Sequence, residues 1–135
     1  MLIRPGVLLR LESLLVLSAI VVAYRMTIHG PWWLFAVLFL APDLSLAGYA
    51  SKGHLRFAAA VYNAAHNYSL PVAVGLAGWW GGSLRTEQVA GIWMAHIAFD
   101  RVLGYGLKFP GGFKPTHIQS AAVYLAGVRD AVTAR

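Results

Sequence analysis

Four long apolar runs alternate with short polar or basic breaks along this chain. The first extends from about Val7 to Tyr24, and the breaker Gly30-Pro31 follows it. The second begins at the pair Trp32-Trp33 and reaches Ala50, before the polar loop Ser51-Lys-Gly-His-Leu-Arg56. The third covers about Phe57 to Trp80 and again ends in a tryptophan pair, followed by the turn Gly81-Gly-Ser-Leu-Arg85. The fourth runs from about Glu87 to Leu107, where Phe109-Pro-Gly-Gly-Phe-Lys-Pro115 stops it. About 20 predominantly apolar residues cross a hydrocarbon core, so the pattern predicts four transmembrane spans at 7–24, 32–50, 57–80 and 87–107. A last segment, 116–132, has an apolar core from Ala121 to Val128 that is too short to cross a bilayer at about 1.5 Å per residue. It predicts a short helix capped by Thr116 and lying in the interface or against the bundle, the alternative being a fifth span. The expected fold is all-α: a polytopic membrane four-helix bundle plus a short C-terminal interfacial helix, forming one integral membrane domain over residues 1–135.

Composition strengthens this expectation. Of 135 residues, 59% are hydrophobic and 12% charged, with a mean hydropathy of +0.61. A soluble domain is about a quarter charged. The net charge of +6 would suggest nucleic acid in a soluble protein, but the basic residues sit mainly at the ends of apolar runs, where they orient a membrane protein instead. Arg4, Arg10, Lys52, Arg56, Lys108, Lys114, Arg129 and Arg135 fall on one side, and Arg25 and Arg85 on the other. Both termini are therefore expected in the cytoplasm, with the tryptophan pairs at the far face. The first run contains Glu12 and ends at Tyr24-Arg25 without a small-x-small cleavage site, so it reads as a retained helix. With no cysteine, disulfides, thiolate ligands and a cysteine nucleophile are excluded.

The polar residues inside the runs are the informative ones. Ionisable groups in the hydrocarbon region cost about 2.5–3.5 kcal/mol each on insertion scales and mark function by default. Glu12 lies in the first run, Asp43 in the second after Pro42, Asn63 and His66 in the third, and His96 and Asp100 in the fourth. At helical rise, Asp43, His66, His96 and Asp100 lie roughly 10 to 16 Å from the cytoplasmic ends of their spans, a single layer drawn from three helices. Glu12 would border that layer. His96 and Asp100 share a helix face at i, i+4, as do Tyr62 and His66, while Asn63 and His66 do so at i, i+3. Pro42 removes a backbone donor beside Asp43.

Several chemistries suit this set. Asp43, His66, His96 and Asp100 could ligate Zn²⁺, Mn²⁺ or Fe²⁺, leaving a position to activate water, with Asn63 and Tyr62 orienting them. A His–Asp pair could do acid–base work without metal. Haem held by His66 or His96 and a proton or solute path are further options. The simplest outcome is a structural hydrogen-bond network in which Asp43 or Asp100 pairs with Arg101. Phosphate loops, nucleotide fingerprints and a Gly-x-Ser-x-Gly elbow are absent from the sequence. Lys108 and Lys114, with Tyr105, lie where cations could hold an anionic head group. The leading expectation is a membrane enzyme hydrolysing or isomerising a small hydrophobic or lipid-like substrate from the bilayer, with Asp43, His66, His96, Asp100, Asn63, Tyr62 and Arg101 at its centre. A transporter, proton path or accessory subunit is the rival class, and a homo-oligomer is compatible with either.

Phe39-Leu-Ala-Pro-Asp-Leu-Ser45 with Gly48-Tyr49, Tyr62-Asn-Ala-Ala-His-Asn-Tyr68 with Pro71, and Ala95-His-Ile-Ala-Phe-Asp-Arg101 running into Gly104-Tyr-Gly-Leu-Lys108 resemble a family of small bacterial membrane proteins. That family is known as a domain of unknown function. Phe113-Lys-Pro-Thr-His117 resembles its tail. The resemblance implies a bacterial inner membrane location and marks Asp43, Asn63, His66, His96, Asp100, Arg101 and Tyr105 as motif positions, but it implies no activity. Pro42-Asp43-Leu44 is also loosely similar to the Pro-Asp-Leu-Asp of membrane-bound metal-dependent hydrolases, with Ser45 in place of the second Asp.

Overall fold

A computed structural model describes residues 5–50 and 55–108. The elements are α1 (Pro5–Met26), α2 (Trp32–Leu38), a 3-10 helix (Ala41–Ala50), α3 (Leu55–Ala65), α4 (Ser69–Trp80) and α5 (Leu84–Leu103). The chain is all-α among the described residues. The helix expected over 116–132 lies outside them, as do Arg4, Lys52, His54, Lys114, His117, Arg129 and Arg135.

α1 starts on a proline, whose missing N–H costs nothing in a first turn. Its two serines return their hydroxyls to the carbonyls one turn back, Ser13 to Leu9 at 2.7 Å and Ser18 to Leu14 at 2.9 Å, so both are satisfied without water. α1 is the one described helix long and apolar enough to cross a membrane, and none of its apolar stretch is buried within the chain.

The four uninterrupted spans expected from the sequence do not appear as four helices. The second run divides into α2 and a ten-residue 3-10 helix. Such helices rarely exceed three or four residues. The third run divides into α3 and α4 at His66–Tyr68. Pro71 supplies the reason: within a continuous helix it could not donate to the carbonyl of residue 67, and its ring would clash there. The chain breaks one turn earlier, which puts Pro71 harmlessly in the first turn of α4. The fourth run is continuous, but its 20 residues include Arg85, Glu87, Asp100 and Arg101.

α5 is the central element, packed against α1 and α4 and touching α2 and the 3-10 helix, while α3 packs on the 3-10 helix. Ser83 caps its start, accepting from the Thr86 N–H. At its end Gly104 takes a left-handed φ of 89° and donates to the Arg101 carbonyl at 3.1 Å, while Tyr105 donates to Asp100 at 2.8 Å. α1 runs antiparallel to α5: Tyr24 lies near Gly91, and Arg10 lies against Gly104. At the opposite end from Gly104, the Arg85 guanidinium lies 5.9 Å from the Trp33 ring.

Tyr24, Leu34 and Ile92 form a small apolar core beside the α1–α2 turn. Fully buried Tyr24 donates its hydroxyl to the Pro31 carbonyl at 2.9 Å. Gly30 lies so close to that ring that any Cβ would enter it. Gly30→Ala is expected to destabilise the protein by about 2–3 kcal/mol through overpacking, measured as a lowered thermal midpoint in detergent.

Candidate metal centre

The two helix breaks aim side chains inward. The 3-10 helix presents Asp43 in its first turn, and His66 follows the last residue of α3. α5 supplies His96 and Asp100 from one face. These four residues converge, with one donor atom from each lying within 4.8 Å of all the others. His66 Nε2 is 3.4 Å from Asp43 Oδ1 and 3.6 Å from Asp100 Oδ2. His96 Nε2 is 3.4 Å from the same Asp43 oxygen, 3.5 Å from the same Asp100 oxygen and 3.3 Å from His66 Nε2. Metal–ligand bonds of about 2.0–2.2 Å place the corners of a tetrahedron about 3.3–3.6 Å apart. Five of the six edges match that length and the sixth, between Asp43 and Asp100, is no more than 4.8 Å, so the residues fit a divalent ion among them. Two carboxylates, two neutral imidazoles and a dication would also sum to zero charge, which a buried site favours.

The imidazoles are buried, His66 at 2% and His96 at 1% exposure, whereas the Asp43 side chain is 41% exposed. His66 is oriented twice. Its Nδ1–H donates to the Tyr62 carbonyl at 2.9 Å, which frees the Nε2 lone pair for the centre, and its ring stacks on Tyr62 with centroids 3.8 Å apart. His96 is held by packing, edge-on to Phe39 and to His66, and its buried Nδ1 has no hydrogen-bond partner among the described residues. With the two Nε2 atoms 3.3 Å apart, no porphyrin fits between the histidines.

The carbonyls leading into the break at His66 are satisfied. Tyr62 O accepts the His66 N–H, and Asn67 Nδ2 donates to Asn63 O at 2.6 Å and Ala64 O at 3.1 Å. Trp93 Nε1 donates to Ala65 O at 2.6 Å, and Arg101 Nη2 to His66 O at 3.0 Å. Asn67 also starts α4, its Oδ1 accepting from the Ser69 N–H at 2.9 Å. Thus every carbonyl from Tyr62 to His66 has a partner.

The other expected site residues take different places. Asn63 lies outside the four-residue cluster: its side chain clasps the Lys108 backbone, donating to the carbonyl at 2.8 Å and accepting from the N–H at 2.7 Å. Arg101 donates to carbonyls, those of His66 and of Tyr105, where the sequence predicts pairing with Asp43 or Asp100. Glu12 is exposed on α1 and is not one of the four. Lys108 Nζ lies 4.8 Å from the Tyr62 ring, and burial pushes its ammonium below its usual range against the opposing pull of Asp100. Asn67 and Trp93 went unnoticed in the sequence. Asn67 could have been found from Pro71, which demands a new helix start and therefore a capping residue just before it. No sequence signal marks Trp93.

Beside the centre lies a cavity of about 290 Å³ whose walls include Pro42, Ala65, Ile92 and Trp93. No curated protein and no solved structure matches the chain. The family model of a domain of unknown function (DUF4260) matches residues 6–121, a stretch that contains all four cluster residues and their supporting partners. The chain belongs to that family.

Proposed function

We propose that this protein is an integral-membrane enzyme that holds one divalent transition ion on Asp43, His66, His96 and Asp100 and hydrolyses a hydrophobic or lipid-like substrate. The observation that carries the reading is the set of five donor-atom separations between 3.3 and 3.6 Å drawn from three elements. Imidazole with carboxylate suits Zn²⁺ best, with Fe²⁺ and Mn²⁺ next. Asp43 is the exchangeable member, being the most exposed of the four and sitting on the 3-10 segment. His66, His96 and Asp100 would form a three-residue set that leaves a position open, the usual form of a catalytic site, and the ion would supply an acidified water there. The Asp43 carboxylate would take the proton of that water and return it to the leaving oxygen as the substrate's ester-type bond breaks.

The membrane assignment draws support from α1 and from apolar side chains exposed on other helices, among them Val37, Phe57 and Leu76. We read 32–50 and 55–80 as two further crossings interrupted at the centre and α5 as a fourth, in a bacterial inner membrane with both ends of the chain in the cytoplasm. Interrupted helices at membrane depth are found where protein satisfies the freed backbone, as it does behind His66.

The test is elemental analysis of protein purified without chelator. One ion per chain is expected. Stripping it should lower the melting midpoint, since a ligand held at 1,000 times its Kd stabilises by about 4 kcal/mol. A protein that carries no ion and does not respond to added Zn²⁺, Fe²⁺ or Mn²⁺ would retire the metal reading. The short His66–His96 approach would then stand as a shared-proton network.

A further inference from the structure

The substrate's class is legible in what flanks the centre along α5. Before His96, α5 contributes Ile92 and Trp93 to the cavity wall, which Leu38, Ala41, Pro42 and Ala65 extend with almost wholly apolar surface. Pro42 and Ala65 are the chain neighbours of Asp43 and His66, and Ile92 and Trp93 precede His96 by about one helical turn, so the cavity lies next to the centre, although none of the four cluster residues lines it. At about 290 Å³ it stands at the small end of the roughly 300–1,000 Å³ of ligand pockets. Beyond Asp100 the character reverses. Arg101 follows at once, and the Gly104 turn with the Asn63 clasp brings Lys108 back over Tyr62, the ring stacked on His66. At helical rise, Trp93 and Asp100 are roughly 10 Å apart. Apolar cavity, centre and cations therefore follow one another along a single axis.

Resting on the metal-enzyme reading above, we propose that the substrate is an anionic amphiphile whose single apolar chain fills the cavity and whose phosphate-like ester head meets the bound ion, Lys108 and Arg101. Water would add to the phosphorus as the P–O bond to the chain breaks, and the proton given up by the water would go to the departing alkoxide, leaving an alcohol and inorganic phosphate. A neutral apolar molecule would make no use of the cations, and a free inorganic anion none of the cavity. An amphiphile in the leaflet already has this orientation, with its charge toward the basic end of the bundle.

Octyl phosphate, octanol and inorganic phosphate, titrated calorimetrically into the purified ion-loaded protein in neutral detergent, test this, with ion content measured on the same samples. Octyl phosphate should bind at least about tenfold tighter than either fragment. Lys108→Gln should weaken octyl phosphate and inorganic phosphate about fivefold and leave octanol unchanged. Ala41→Phe, at the exposed cavity rim, should weaken octyl phosphate and octanol and leave inorganic phosphate unchanged. Equal affinities of octyl and inorganic phosphate, or variants that change nothing while the ion is retained, overturn the proposal. Absence of the ion with the ligand ranking intact sinks only the metal reading and leaves the amphiphile site standing.

Discussion

His96→Ala should abolish ion binding, lowering affinity more than about 100-fold, because even the outer partners of metal ligands contribute 10–100-fold. His96 is one of the two least accessible donors and touches all three others, so no neighbour can replace its nitrogen. Alanine also leaves a cavity, and a lost ion could then reflect poor folding. Asp100→Asn removes that ambiguity by preserving shape. Without metal, Asp43 and Asp100 hold carboxylate oxygens within 4.8 Å of each other. Like charges at that distance repel by about 1–3 kcal/mol in partly screened surroundings. The stripped Asp100→Asn protein should therefore melt above the stripped parent, while the parent gains far more when Zn²⁺ is added. Parallel behaviour of the two proteins with and without Zn²⁺ would show that Asp100 takes no part in holding an ion.

Arg101→Gln should weaken the ion by about 10–100-fold without removing any donor to it. Arg101 works through the backbone: its guanidinium holds the His66 carbonyl at the point where α3 gives way to α4. A hydrogen bond from a charged group is worth about 1.5–3 kcal/mol, and its loss lets residue 66 shift. Stability alone would fall for any broken cap, so the discriminating readout is the ratio of ion affinity to melting temperature. Asn67→Ala uncaps Asn63 and Ala64, farther from the ligand. It should cost similar stability with less effect on the ion. Should Arg101→Gln lower the melting point yet bind the ion as tightly as the parent, Arg101 takes no part in positioning the ion's ligands.

Much of the centre could be read from spacing, because a helix converts residue number into depth and face. The i, i+4 relation of His96 and Asp100 survives directly in α5. Placing Asp43 and His66 at the same level required only that short loops return the chain. The straight spans failed where two local signals compete. Hydrophobicity runs on through 57–80, but Pro71 and Asn67 demand a fresh helix start, and a missing backbone donor outweighs apolar continuity. Pro42 tightens the second run in the same way.

The linear order of residues was enough to predict helices throughout the described residues and acids and imidazoles that meet, since helical periodicity is a local property. Which partner each group chose was a matter of packing. Asn63 turned to the Lys108 backbone, Arg101 to a carbonyl and Trp93 to the end of α3, over sequence separations of 45, 35 and 28 residues. Such pairings exist only once distant helices meet, because each polar atom removed from water takes whichever donor or acceptor the assembled bundle brings within reach.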